Sequence, residues 1–441
     1  MHVTRLARSI LVAAFIMASA APYAAAVTIR WTSFPIPWQG ITGRESEAEL
    51  ERRRAAGEPA TWAEQMVAEF TAEHPTVAIE YARIGWEQAD ALKVQLAAGV
   101  GPDVFYVYPA LLGELLGQGV LAPIDRYLTA ADRRELLPPA LELGRFEGRY
   151  YLWPWFVVPE GSWIINRSLF TAAGAEDLLP SPPEYRWTVD EFLAAARAVT
   201  RRDGERPVFA VNLESWFGQA EGINSWPLWS FLYAMGADFF DPAMQSVTPA
   251  LTDRVRDTFD LFRRLAFEYQ VSGPGDFHAG TLAIAYGQGN QLFRQLLSIY
   301  GSIDRAPFEV QLALPPSLPG IDPGVPGGIG GWVVGRHATG ERLEWAMRFA
   351  RFLTEDAAQL TLGIGLPVRQ SAIGRYVQQN PLAQFDAVAA RYLRPYSAHP
   401  LAARIATAWL EAGRMVVQGQ WSPDQAADDY ARRVNALLGA Q

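Results

Sequence analysis

Residues 314–336, LPPSLPGIDPGVPGGIGGWVVGR, decide how the chain is laid out. A Pro- and Gly-rich loop runs through Pro326, Gly327, Gly328, Gly330 and Gly331 into Trp332, Val333 and Val334, which open a strand. Glycines without a Cβ let a ligand or a second lobe approach the backbone closely, and Trp332 adds a flat apolar face beside them. Two readings compete: a surface loop that ends in a core tryptophan, or a hinge that carries a binding surface. The rest of the chain must choose between them.

The chain has 441 residues, of which 50% are hydrophobic, enough for two or three domains with a packed core in each. Arg5 and Arg8 precede an apolar run over residues 10–21, and Ala24, Ala25 and Ala26 supply small residues suited to signal peptidase. Residues 1–26 therefore read as a secretory signal. A membrane span needs about 20 consecutive apolar residues, and this run is shorter and meets Pro22. Cysteine is absent, which excludes disulfides, thiolate metal sites, cysteine nucleophiles and the acylated cysteine of a lipoprotein. An exported, soluble chain without a lipid anchor is expected. Removing Arg5 and Arg8 with the signal takes the formal charge from −9 to −11, a field that repels nucleic acid. The 15 Trp are the most informative count, because sugar sites combine aromatic plates with hydrogen-bonding side chains, although large cores use tryptophan too.

Residues 27–33 (VTIRWTS) alternate like a first strand and run into a loop, FPIPWQG, with Pro35, Pro37 and Trp38. Residues 45–56 form a charged helical insertion. Thr61 caps a helix whose apolar Trp62, Met66, Val67 and Phe70 recur at helical spacing until His74 and Pro75 end it. A second strand over 77–81, a helix over 87–98, a strand over 104–107 and a helix over 109–117 complete an alternation that predicts a mainly parallel sheet with helices on its faces.

Taken in order, AAGVGPDVFYVY, LGQGVLAPID, GRYYLWPW, INRSLFTAAG, WTVDEFLAAARAVT, NSWPLWSFLYAMGADFF, PGGIGGW and EWAMRFARFLTEDAAQLTLG with GLPVR resemble the family 1 extracellular solute-binding proteins of ABC importers, the group that includes maltose-binding proteins. The resemblance covers nearly the whole mature chain; the charged insertion and the missing lipoprotein cysteine are its departures. It implies an α/β, two-lobed periplasmic-binding-protein fold of type II, with ligand held between lobes joined by several crossings. The first crossing is expected near Trp153–Val158, between Pro154 and Pro159, the second near Gly327–Gly331 and a third around Tyr376–Pro381. The N-terminal lobe is then 27–156 with 329–378, and the C-terminal lobe 157–328 with 379–441.

In this fold the ligand meets loops that follow strands. Candidates on the N-terminal side are Ser33, Phe34, Trp38, Trp86, Tyr106 and Tyr108; the two tyrosines flank Val107 and would share a strand face. Trp153 and Trp155 come from the first crossing, and Asn224, Trp226 and Trp229 from the second lobe, where Asn224 can also be read as a helix cap. Where relatives carry a sugar-stacking Trp after an apolar strand and a Gly, this chain has Gln288 and Asn290. That puts Gly330, Gly331 and above all Trp332 forward as the stacking surface, with Arg369 able to fork onto hydroxyls or a carboxylate.

The resemblance implies a monomer that captures a carbohydrate or polyol by hinge closure and presents it to a membrane permease. The sequence contains no phosphate loop for an ATPase, and no cofactor is called for. A glycoside hydrolase would need two carboxylates across a scissile bond, and no G-x-S-x-G or H-E-x-x-H occurs. Histidines at 2, 74, 278, 337 and 399 are too scattered to suggest a metal site. Other cargoes remain open at this point: a glycerol phosphate ester would call for several cationic side chains, and a polyamine for several carboxylates. A role in presenting ligand to a sensor would suit the same fold.

Overall fold

The computed structural model describes residues 27–34, 46–159, 162–219, 226–239, 246–287, 305–360, 365–380, 383–395 and 399–439. The signal segment and Trp38, Asn224, Gln288 and Asn290 lie outside the described residues.

The N-terminal alternation forms as its pattern predicts. Strands β1 (Val27–Ser33), β2 (Val77–Arg83) and β3 (Val104–Val107) are parallel, with Trp31 opposite Tyr81 on one side and Val104 on the other. Helix α1 (Glu47–Ala55) is the charged insertion, anchored by Leu50, its one buried residue. Helix α2 (Trp62–Glu73) starts in a capping box: the Thr61 hydroxyl accepts the Glu64 N–H, and the Glu64 carboxylate accepts the Thr61 N–H. It buries Trp62, Met66 and Phe70 at four-residue spacing and stops at His74 before Pro75. Helices α3 (Ala89–Ala97) and α4 (Pro109–Gln118) follow β2 and β3.

Apart from a small hairpin of Arg145–Phe146 with Arg149–Tyr150, the remaining strands are β4 (Trp153–Pro159), β5 (Ser162–Asn166), β6 (Ile284–Gly287), β7 (Val310–Ala313), β8 (Val325–Val334), β9 (Leu366–Pro367) and β10 (Leu393–Pro395). They complete a seven-stranded sheet in the order β9-β4-β8-β3-β1-β2, with β10 also on β8, and a separate three-stranded sheet in the order β6-β5-β7. Each sheet has its own core. One gathers side chains from Ile29 to Val158 and from Ile329 to Leu393; the other gathers Trp163 to Ala313 and Ile405 to Val434. The protein is a two-lobed α/β fold whose first sheet is mixed rather than mainly parallel: β8 runs antiparallel to β3 and β4, and β9 to β4, while in the second sheet β5 runs antiparallel to both β6 and β7. The chain leaves the first sheet after β4 and re-enters it at β8.

The third crossing differs from expectation. Residues 376–381 were to carry the chain over, but Tyr376 sits in a helix (Gln370–Gln379), fully buried in the first core. Chain stays with the first sheet until β10, because Leu393 pairs with Val325 and Pro395 with Gly327. Only the helix Ala402–Val417 returns to the second core.

The glycines of the opening stretch serve strand packing. At Gly330 a Cβ would lie 2.6 Å from the Phe156 ring, and at Gly331 2.5 Å from the Trp153 carbonyl oxygen. Pairing shifts register between these two glycines, so β8 closes on β4 only where side chains are missing. Gly331→Val should therefore lower stability by at least about 2 kcal/mol through overpacking, read as a fall in the urea midpoint at an unchanged slope; an unaltered midpoint would show that the strands have room.

Candidate functional site

Strand direction locates the gap between the lobes. β8 is antiparallel to β4, with Gly327 opposite Pro159, so these residues mark the hinge end of the first sheet. β3 is antiparallel to β8, with Val334 opposite Val104 and Gly331 opposite Val107, so its C-terminal end points to the hinge, and the parallel β1 and β2 point with it. In the second sheet Ser162 opposes Gly287, and Trp163 opposes Ala313, so β6 and β7 end toward the hinge. A parallel bridge between Phe209 and Leu282 turns residues 208–211 the same way. Loops that follow strands in both lobes thus face each other across the hinge, where an open α/β sheet places its ligand.

On the first lobe three candidates come together there. Phe34 follows β1, Trp86 follows β2 and Tyr108 follows β3. The Phe34 and Trp86 rings stack with centroids 4.7 Å apart and 3° between planes. Tyr108 meets both edge-on, at 6.0 Å from Phe34 and 5.6 Å from Trp86. Phe34 is 1% exposed and Trp86 50% exposed, so Phe34 backs one face of the indole while much of Trp86 is open to solvent. A half-exposed indole backed by a stacked ring at the ends of the strands offers a flat apolar face to a ligand. Burial pushes the Tyr108 hydroxyl pKa up, and the Glu114 carboxylate adds to the rise, so this hydroxyl stays a neutral donor and acceptor. Tyr108 is the N-cap residue of α4, its backbone still extended, and its ring meets Phe34 and Trp86, whereas that of Tyr106 meets Trp155, Phe156 and Trp332.

Other candidates are placed differently. Ser33 is buried, its hydroxyl bonded to the Tyr81 hydroxyl at 2.6 Å. Tyr106, Trp153 and Trp155 are core residues at 6%, 0% and 1% exposure. Trp332, expected as the exposed plate, is fully buried: Trp155 lies 4.9 Å away, Trp31 5.5 Å, Tyr106 5.7 Å and Trp62 6.2 Å, centroid to centroid. In β8 it faces the helices that cover the sheet, where the aromatic residues of β1, α2 and β4 converge. Gly330 and Gly331 are enclosed by Phe156 and Trp153. Trp229 is buried against Phe239 at 4.7 Å; Trp226 opens the same helix, Trp226–Ala234.

Arg369 belongs to an ionic node. Its guanidinium lies 3.0 Å from Asp132, which Arg351 also contacts at 3.2 Å, and its Nε donates to the Thr354 carbonyl at 2.7 Å. Burial pushes the Asp132 carboxyl up, but the Thr129 hydroxyl and the two guanidiniums outweigh it and hold the pKa at about 2. Buried, with Nε and Nη2 held in this node, Arg369 fastens the connection that follows β9 to the helix Ala130–Glu135, at the end of β9 away from the hinge.

Sequence reading passed over one group on the second lobe. Residues 208–211 end toward the hinge, and Asn212 then caps the helix Leu213–Gln219 by accepting the Ser215 N–H at 2.9 Å. This sets Glu214, which is exposed, in the first turn after a strand end that points to the hinge. An apolar VFAV run closed by Asn was the available signal. A groove of about 1050 Å³ lies elsewhere, along β7 between Arg167, Glu176, Tyr185 and Phe308. Its Arg167 is already paired with Glu176 and Glu309, and it extends to the end of β7 away from the hinge.

The chain belongs to the bacterial extracellular solute-binding protein family, whose model matches residues 55–360. Among curated proteins it is 28% identical over 152 residues to a maltotriose-binding protein of Pyrococcus abyssi (strain GE5 / Orsay), a match spanning 34% of this chain and 28% of that relative. Among solved structures it resembles the cyclic alpha-maltosyl-1,6-maltose binding protein of Arthrobacter globiformis, at 17% identity and TM-score 0.72, covering 94% of this chain and 99% of that one. It also resembles ABC substrate-binding protein Lmo0181 of Listeria monocytogenes, solved with cycloalternan, at 18% identity and TM-score 0.65, covering 94% and 99%. Both likenesses are of fold. Among the described residues no helix is long and apolar enough to cross a membrane, and no group of His, Asp and Glu could hold a metal ion.

Since Asp132 has its pKa lowered, its ion pairs stabilise the fold fully above the ordinary carboxylate range and lose that contribution as pH falls toward about 2. Arg369→Met should cost roughly 3 kcal/mol at pH 6 by stranding part of a buried charge, with the loss shrinking toward pH 2 in urea titrations, and should leave ligand affinity alone. A weakened affinity at unchanged stability would return Arg369 to the binding site.

Proposed function

We propose that the protein captures a neutral oligosaccharide or related polyol between its lobes and hands it to the permease of an ABC importer. The carrying observation is the Phe34–Trp86–Tyr108 trio: a backed, half-open indole at the C-terminal ends of three parallel strands, facing the second lobe across the hinge. Aromatic faces stack on the C–H patches of sugar rings, and the Tyr108 hydroxyl and Glu214 carboxylate supply hydrogen bonds at the two walls. The names of the Pyrococcus, Arthrobacter and Listeria proteins support a maltooligosaccharide-like cargo. Charged cargoes are less well served, because the trio itself carries no charge.

Ligand that touches both walls binds the closed arrangement better than the open one, and that difference drives hinge closure. Such work needs no catalytic pair, so the protein is read as a binding protein, exported to the periplasm by the signal over 1–26, soluble, monomeric and without a lipid anchor. The N-terminal lobe is read as 27–156 with 329–378. The C-terminal lobe is read as 157–328 with the chain from 399 onward, residues 383–395 forming a strap between them. Of the other candidates, Trp38, Gln288 and Asn290 stay proposed as rim contacts, since in sequence they follow β1 and β6, whose ends face the hinge, and Asn224 and Trp226 stay proposed as contacts from the second lobe.

Thermal shift of the mature protein against maltotriose, other oligosaccharides, polyols and glycerol phosphates tests the cargo, since a ligand bound only by the folded state raises its stability. A rise with an oligosaccharide is expected; response to charged metabolites alone would overturn it. Trp86→Ala should weaken sugar binding roughly tenfold, a loss of about 1.4 kcal/mol, at an unchanged melting temperature. Trp332→Ala should instead destabilise the fold by about 3–5 kcal/mol. The reverse pattern, read by calorimetric titration and melting, would make Trp332 the plate.

A further inference from the structure

The strap over residues 383–395 is tied to both lobes by different atoms. Its backbone belongs to the first lobe: β10 pairs with β8, and Ala383 and Leu393 lie in the first core. Several of its side chains pack on the second lobe. Phe385 and Ala389 join a small cluster with Ile164, Leu312 and Leu314, and the Phe385 ring meets Tyr185 edge-on at 5.2 Å. Tyr392 lies under the Arg186 guanidinium at 5.1 Å, with its hydroxyl 3.4 Å from an Arg186 nitrogen. Arg186 also faces Asp322, on the second crossing, at 3.4 Å. Arg394 completes the set from the other direction, its guanidinium 5.4 Å above the ring of Tyr233, a residue of the second core.

Two independent features show that this contact is built. Tyr185 has φ +53°, a left-handed conformation that is costly for a bulky residue and persists only where the surroundings enforce it. Its carbonyl accepts the Leu314 N–H at 2.9 Å, at the start of the second crossing, so the strained residue is locked to the hinge itself. Second, the two cation–π pairs have opposite polarity: the second lobe offers Arg186 to a strap tyrosine, and the strap offers Arg394 to a second-lobe tyrosine. Both pairs join the strap to the second lobe, so a hinge movement that lifts that lobe off the strap separates both guanidiniums from their rings.

We infer that the strap is a conformational clasp: Arg186 on Tyr392 and Arg394 on Tyr233 hold the second lobe in the arrangement seen here and set the open–closed balance before any ligand arrives. None of these residues stands at the Phe34–Trp86–Tyr108 wall, so the clasp governs affinity from outside the site. Exposed cation–π contacts are weak singly, and two together change a population ratio by roughly 5- to 30-fold.

The absence of cysteine allows clean labelling. Spin labels at Val94→Cys on the first lobe and Phe267→Cys on the second, both exposed positions, report the distance between lobes by double electron–electron resonance. The measurement uses ligand-free protein, so its failure would not touch the proposed cargo. The double variant Arg186→Met and Arg394→Met alters partly exposed side chains and should melt as the parent does. Arg348→Met, which removes a cation–π pair inside the first lobe, with Arg348 4.8 Å over Trp345, is the control. The double variant should shift the population at the parental distance against all others by at least twofold while the control leaves it in place. A smaller shift, or an equal shift in the control, overturns the clasp.

Discussion

The molecule depends on one strand pairing, β8 against β4. These are the segments by which the chain leaves and re-enters the first sheet, so whatever fixes their register fixes where the second lobe hangs. The register is set by absence: Phe156 and the Trp153 backbone occupy the space that side chains at 330 and 331 would need. Aromatic mass then fills the helix-covered side, with Trp31, Trp62, Trp155 and Trp332 packed around one point. A core this dense beneath the hinge end is a rigid footing, and the half-exposed Trp86 stands beside it on a backed ring.

Much of this was legible. The alternation of strands and helices from Val27 to Gln118, the cap at Thr61 and the stop at Pro75 followed from period, capping and punctuation, which are local signals, whereas the passages at β4 and β8 came from the resemblance. The two-lobed form came from the ordered resemblance. Less legible was which aromatic residue faces out. Trp332 and Trp86 each follow a glycine, and nothing in their neighbourhood in sequence says that one is walled in by Trp31, Trp62, Tyr106 and Trp155 and the other is not. Burial is set by partners 170 or more residues away, such as Trp155 for Trp332. The same holds for Arg369, whose partner Asp132 lies 237 positions earlier. The late return to the second lobe was hidden for a related reason: a three-residue strand, Leu393–Pro395, has no period to read, and only its pairing with Val325–Gly327 gives it away.

Placement of charge follows the same division of labour. Asp132 and Asp103 are both buried carboxylates held ionised by guanidiniums, the second through Arg342 at 2.7 Å and the Arg30 N–H at 2.9 Å. Asp103 adjoins the N-terminal end of β3, away from the hinge, where it joins Arg30 of β1 to the helix Gly340–Phe352. Such nodes specify how segments distant in sequence are joined, and they stand apart from the Phe34–Trp86–Tyr108 trio, whose rings carry no charge.

Hydrogen exchange with and without saturating maltotriose tests the central claim most directly, because it reads both walls at once. The account predicts ligand-dependent protection at residues 84–88 and 106–110 of the first lobe together with 211–216 of the second. Protection confined to one lobe, or gathered instead along Val310–Ala313 and the groove beside it, would contradict it.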